Sequence, residues 1–130
     1  PALLLAVDID HFKRLNDEHG HDAGDEALRV FASGLGEALA GRPHLLARLG
    51  GEEFALLLPG LDKSEAGSLT DAIRAGIAQR PMAVGPLTLG LTVSIGLAEI
   101  SARDSLDVAL RNADRALYAA KQAGRNRIQA

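Results

Sequence analysis

The chain has 130 residues, 47% of them hydrophobic and 24% charged, with a formal net charge of -3 and no cysteine. That length holds one domain with a real core and is too short for two. The charge argues against a binder of nucleic-acid backbone, which needs a basic face, and the cysteine count excludes disulfides, thiolate metal sites and cysteine nucleophiles. Aromatic residues make up only 3%, so the core must be aliphatic. No apolar run approaches the ~18 residues of a membrane helix. The opening Ala2 to Val7 is short and has no basic leader, so it reads as a buried strand and not a signal peptide. A cytoplasmic location is expected for the domain, whether or not other segments of a parent protein anchor it.

Residues 2 to 7 form the first predicted strand, ending in Asp8-Ile9-Asp10. Asp10 is placed to cap a short helix carrying Phe12 and Leu15 and stopped by Gly20. Asp22 is placed to cap a longer helix with Leu28, Phe31, Leu35 and Leu39 at helical spacing. A hairpin follows over roughly 44 to 49 and 52 to 58, with Gly50-Gly51 as its turn, and Pro59-Gly60 breaks it. Asp62 and Glu65 have the spacing of a capping box before a helix carrying Leu69, Ala72, Ile73, Gly76 and Ile77 and ending before Pro81. From Leu87 to Ala98 the pattern alternates strictly, which predicts one long strand. The last helix is expected over 105 to 123, with Leu106, Leu110, Ala113, Leu117 and Ala120 inward. Gly124 ends it, and Arg127-Ile128 is read as a short final strand. The hairpin rules out a purely parallel sheet, so the fold class is α/β with a mixed central sheet flanked by helices.

Four clusters could carry chemistry. Asp8-Ile9-Asp10-His11-Phe12-Lys13 joins carboxylates that suit Mg²⁺ to a helix start whose free N–H groups suit phosphate. Its bland alternative is a cap and a solvated strand end. Glu52 and Glu53 put two like charges at the mouth of an apolar strand. They are either a solvated turn or part of a metal site shared with Asp8. The loop from Asn16 to Asp25 serves either turn chemistry or recognition of a guanine edge, whose N–H pair a carboxylate can accept. Lys121 and Arg125 are either cations favoured near a helix C-terminus or a phosphate clamp. His11, His19 and His21 match no strong zinc spacing. There is no Walker loop and no dinucleotide glycine fingerprint. Ser94 reads as a core strand residue.

Five segments together resemble the GGDEF domains, the diguanylate cyclases. They are DIDHFKRLND at 8 to 17, GHDAGDEAL at 20 to 28, RLGGEEFALLLPG at 48 to 60, LTVSIGLA at 91 to 98 and ADRALYAAKQAGRNR at 113 to 127. They run in order over essentially the whole chain, and Gly-Gly-Glu-Glu-Phe is an accepted variant of the signature. The resemblance implies a palm-like nucleotidyl-cyclase fold and the condensation of two GTP into the second messenger cyclic di-GMP, with release of two pyrophosphates. It implies Mg²⁺ (or Mn²⁺) held by Asp8, Glu52 and the Ile9 carbonyl, with Glu53 a further ligand or a proton acceptor. It implies that Asn16 and Asp25 read guanine. The backbone near His11, Phe12 and Lys13, with Lys121 and Arg125, would grip the triphosphate, and Gly50 and Gly51 would let substrate approach the turn.

Each domain would hold one GTP, so a homodimer is implied, usually imposed by an N-terminal sensory or regulatory domain. No nucleic acid or membrane partner is expected. The alternative is a GTP-binding module that regulates a neighbour without turnover. Many members carry an inhibitory product site, an Arg and an Asp three residues later, whose positions here are Gly41 and His44; none is expected in this chain. Members also usually have a helix and an Asp-x-Leu-Thr-x-Leu-x-Asn-Arg-like segment before the first strand. The start at Pro1, directly on a strand, leads to the expectation of a single domain, 1 to 130, cut from a longer chain.

Overall fold

A computed structural model describes residues 2–130, so the expected domain start at Pro1 lies outside the described residues. In chain order the elements are β1 (Ala2–Ile9), α1 (Phe12–His19), α2 (His21–Ala38), β2 (Leu45–Gly50), β3 (Glu53–Pro59) and α3 (Lys63–Gln79). β4 (Met82–Val84), β5 (Leu87–Leu89), β6 (Val93–Ile100), α4 (Leu106–Gln122) and β7 (Arg127–Gln129) complete it. Five strands form one sheet in the order β2-β3-β1-β6-β7. β1 is central and antiparallel to both β3 and β6, while β6 and β7 are parallel. The sheet is mixed, as the hairpin requires.

β1 is apolar at almost every position because both its faces are covered. Leu3, Leu5, Val7 and Ile9 join the main core with residues of α2 and β3. Ala6 faces the other way, with Ala98, Ala113 and Leu117 beneath α4. Small residues let α4 come close. A Cβ at Gly96 would lie 2.1 Å from the Ala113 carbonyl oxygen and 2.3 Å from the Leu117 nitrogen. Both atoms are backbone, so neither can swing aside. Gly96→Ala should therefore cost about 3 kcal/mol, read as a lower urea midpoint at unchanged slope.

Several expected details differ. The long strand from Leu87 is broken: β5 pairs with β4 in a separate hairpin, and β6 begins at Val93. β4 lies in a stretch punctuated by Pro81 and by Gly85-Pro86, which hid it. The N-cap of α1 is His11, not Asp10; its backbone is left-handed (φ 57°) and its side chain makes no capping bond. Asp10 turns to β6 instead. The N-cap of α2 is Gly20, and Asp22 sits in the first turn, where a carboxylate still meets the positive helix end. Leu106 is on the expected stripe of α4 but is exposed, because the first residue of the helix lies beyond the covered face. The capping box of α3 is present, with Glu65 N–H donating to Asp62 at 2.8 Å and Asp62 N–H to Glu65 at 3.3 Å.

The hairpin turn is shifted by one residue. Gly50 still pairs with Glu53, after a bulge between Arg48 and Gly50, so Gly51 and Glu52 form the tip. Gly51 is left-handed (φ 52°), a conformation a side chain resists. Its carbonyl accepts from Arg48 Nε at 2.9 Å. This one-residue shift separates the two glutamates: Glu52 is in the turn and Glu53 opens β3.

Candidate active site

The site grows from the end of β1. Side chains alternate along a strand, so Asp8 shares the face of Ala6 and points toward α4. There it meets Lys121, whose Nζ donates to Asp8 Oδ2 at 2.5 Å. Asp8 is only 5% exposed. Burial pushes its carboxyl above the usual range, Lys121 pulls it back, and the charges of Glu52 and Asp10 push it up again. Glu53 stands directly opposite Asp8 across the β1–β3 pair. Two like charges in that position repel.

Glu53 also meets Asp114 of α4. Burial first, then the hydrogen bond and charge of Asp114 and the charge of Asp8, push its carboxyl up to about 7. The folded protein therefore binds more protons at Glu53 than the unfolded chain does. The resulting stability is fully present below the unfolded value of about 4.5 and is lost as pH rises through about 7. Asp114→Asn should shrink this loss. In metal-free buffer its urea midpoint should exceed that of the wild type at pH 8, and the difference should narrow toward pH 4.

A cleft of about 490 Å³ opens beside Asp8. Its lining brings together Asp8, Ile9, His11, Phe12, Lys13, Glu52, Lys121 and Arg125 from the expected set, and adds Asp10, Arg14 and Asp17. With no side-chain bond at the His11 cap, the first amides of α1 are left for an anion. Glu53, Gly50, Gly51, Asn16 and Asp25 are not among its lining residues. Glu53 is turned to Asp114, and the glycines shape the turn behind Glu52. Asn16 lies on α1 against α2. A Cβ at Gly24 would fall 1.7 Å from Asn16 Oδ1, so glycine is what admits the amide. That oxygen is buried without a hydrogen-bond partner. Asp25, one residue on, is exposed.

A hollow of similar volume, about 520 Å³, lies between α2 and α3, but apart from Arg80 its lining is apolar and it offers no carboxylate. Among the described residues no group of three or more His, Asp or Glu side chains gathers to hold a metal unaided. None of their helices is long and apolar enough to cross a membrane. Sequence reasoning missed Asp114, though its spacing of seven from Lys121 places both on one face of α4. It also misread Asp10, whose partners Thr92 and Ser94 are remote in sequence.

A sequence model described as "Diguanylate cyclase, GGDEF domain" matches residues 1–127. The chain belongs to the GGDEF family. This GGDEF domain is 42% identical over 128 residues to the diguanylate cyclase DgcP of Pseudomonas aeruginosa, covering 98% of this chain and 19% of that protein. It thus spans about a fifth of that relative's length. Its fold matches the GGDEF domain of DgcB from Caulobacter crescentus, solved in complex with c-di-GMP. There the TM-score is 0.89 and the identity 39%, over 99% of this chain and 77% of that one. It also matches the active GGEEF domain of a diguanylate cyclase from Vibrio cholerae, with TM-score 0.86 and 32% identity over 98% and 81% of the two chains. The GGDEF domain thus keeps the family's palm-like α+β architecture.

Proposed function

We propose that this GGDEF domain condenses two GTP molecules into cyclic di-GMP and releases two pyrophosphates. The observation that carries the reading is the convergence of Asp8, Glu52, Lys121, Arg125 and the open start of α1 in one cleft. Family membership implies a divalent metal. The donor set fits Mg²⁺ or Mn²⁺: Asp8, Glu52 and the Ile9 carbonyl supply a few oxygens, and Mg²⁺ commonly takes the rest from substrate phosphates and water. When bound, it would offset negative charge on the reacting phosphate and its leaving group.

The remaining roles fall to side chains and amides. Lys121 and Arg125, with the first amides of α1, would neutralise and orient the triphosphate, and Lys13 lies at the same mouth. Lys121 would then divide its charge between Asp8 and phosphate. Glu53 is read as a proton-holding neighbour of Asp8 and not as a lining ligand. With its Oδ1 held beneath Gly24, Asn16 would present its amide nitrogen to an acceptor on the guanine edge, and exposed Asp25 would take the guanine donors. Gly24→Ala should displace Asn16 and lower GTP affinity roughly tenfold, with a smaller effect on ATP, measured by titration calorimetry.

One cleft holds one GTP, so ring closure needs two domains face to face, and the activity should rise steeply with protein concentration. Gly41 and His44 supply neither Arg nor Asp, so product feedback through that pair is not part of the proposal. The relatives are longer than this chain, which supports a partner domain that imposes dimerisation. The deciding experiment is mass spectrometry of products after incubation of concentrated protein with GTP and Mg²⁺. Cyclic di-GMP with pyrophosphate is expected. No product at concentrations that force dimers would overturn the proposal.

A further inference from the structure

Asp10 is buried at 7% exposure, yet it is one of the charged residues at the floor of the cleft. Its carboxylate is already committed. Oδ1 accepts from Ser94 Oγ at 2.7 Å, and Oδ2 accepts from Thr92 Oγ1 at 2.7 Å and from the Asn126 backbone N–H at 3.0 Å. Its own N–H donates to the Thr92 carbonyl at 2.9 Å. Both oxygens are therefore engaged inside the protein, with Oδ2 accepting twice and Oδ1 once, which sets Asp10 apart from Asp8.

The third of those bonds reaches the segment that carries a cleft cation. Arg125 and Asn126 are consecutive non-glycine residues in the left-handed region (φ 64° and 47°). Such backbone persists only where its surroundings over-determine it. Here they come from two sides. Asp10 holds the Asn126 N–H. Arg74 of α3 donates to Asn126 Oδ1 at 2.8 Å and is itself oriented by Asp71 at 2.8 Å. The Arg125 N–H closes onto the Ala120 carbonyl at 3.0 Å. Arg74 does not line the cleft.

We propose that Asp10 and Arg74 are positioning residues that clamp Asn126, fixing the left-handed turn after α4 so that Arg125 faces the β- and γ-phosphates of a nucleoside triphosphate. The inference rests on the reading of the cleft given above. It makes α3, remote from the bound base, a determinant of triphosphate affinity, while the guanine end depends on α1 and α2. A merely structural role would weaken all nucleotides together.

The test is titration of the protein with GTP and with GMP, in Mg²⁺, for wild type and Arg74→Ala. Removing the remote guanidinium should weaken GTP roughly fivefold and leave GMP within about twofold. Equal loss for both nucleotides, or no loss, overturns the proposal. Asp10→Asn keeps the shape and removes the acceptor charge. In hydrogen exchange its amides at 124 to 127 should open at least roughly tenfold faster than in wild type. Unchanged exchange overturns the clamp regardless of nucleotide binding. A wild type that binds no GTP would instead sink the reading of the cleft, and the exchange result would then judge the clamp alone.

Discussion

Glu52→Gln is expected to lower cyclic di-GMP formation by at least roughly a thousandfold without lowering the thermal midpoint. Glu52 sits at the hairpin tip, half-exposed, and lines the cleft. Its charge reaches Asp8, which it pushes upward. Glutamine keeps the shape and loses the charge, so the variant isolates what the carboxylate does for the reacting phosphate. The result also separates three kinds of protein. A cyclase loses product. A GTP-sensing module has no product to lose and shows only weaker Mg²⁺-dependent GTP binding. A dimerisation domain shows neither change. Product formation above a tenth of the wild-type rate would remove Glu52 from the chemistry.

The fold was legible wherever local pattern and burial report the same thing. Continuous apolar sequence in β1 means two covered faces, and β1 proved to be the central strand. Alternation from Leu87 reads as one strand, and Leu89, Leu91 and Val93 do all pack into the same core. Period-two burial continues through the point where the chain leaves one sheet for another. It records which side is buried and not which strand is the partner. Caps fail for a related reason. Asp10 satisfies every local rule for an N-cap, but the hydroxyls of Thr92 and Ser94, more than eighty residues away, take its oxygens.

The cleft was legible as residue types and not as geometry. The segments around Asp8, Glu52 and Lys121 do converge. What sequence could not supply is the bulge before Gly50, which moves the turn by one residue and parts two adjacent glutamates. One then lines the cleft and the other meets Asp114. Nor could it supply Asn16 Oδ1 held without a partner against Gly24, since that depends on how closely α1 and α2 pack. The roles of these residues turn on such placements.

Asp8→Asn is expected to move activity and stability in opposite directions. Turnover should fall at least roughly a thousandfold, because the carboxylate at the end of β1 is the buried anchor of the proposed metal set. Stability should rise by roughly 0.5–2 kcal/mol at pH 7. The sign follows from the direction of the shift. Asp8 is raised above its usual range chiefly by burial, despite its bond to Lys121. Ionised Asp8 is thus less favourable in the folded protein than in the unfolded chain, a penalty present above the folded value and absent below the unfolded one. Asparagine carries no such penalty, and it relieves the repulsion from Glu53 opposite and from Glu52. Lys121 loses its partner but is one-third exposed and can turn to water. Urea denaturation of the metal-free proteins at pH 7 and pH 4 checks this, with the gain expected at pH 7 and reduced at pH 4. A variant that lost activity and stability together would mean that the Asp8–Lys121 bond outweighs the burial of the charge. Asp8 would then be a structural ion pair first, and the penalty assigned to its buried charge would be absent.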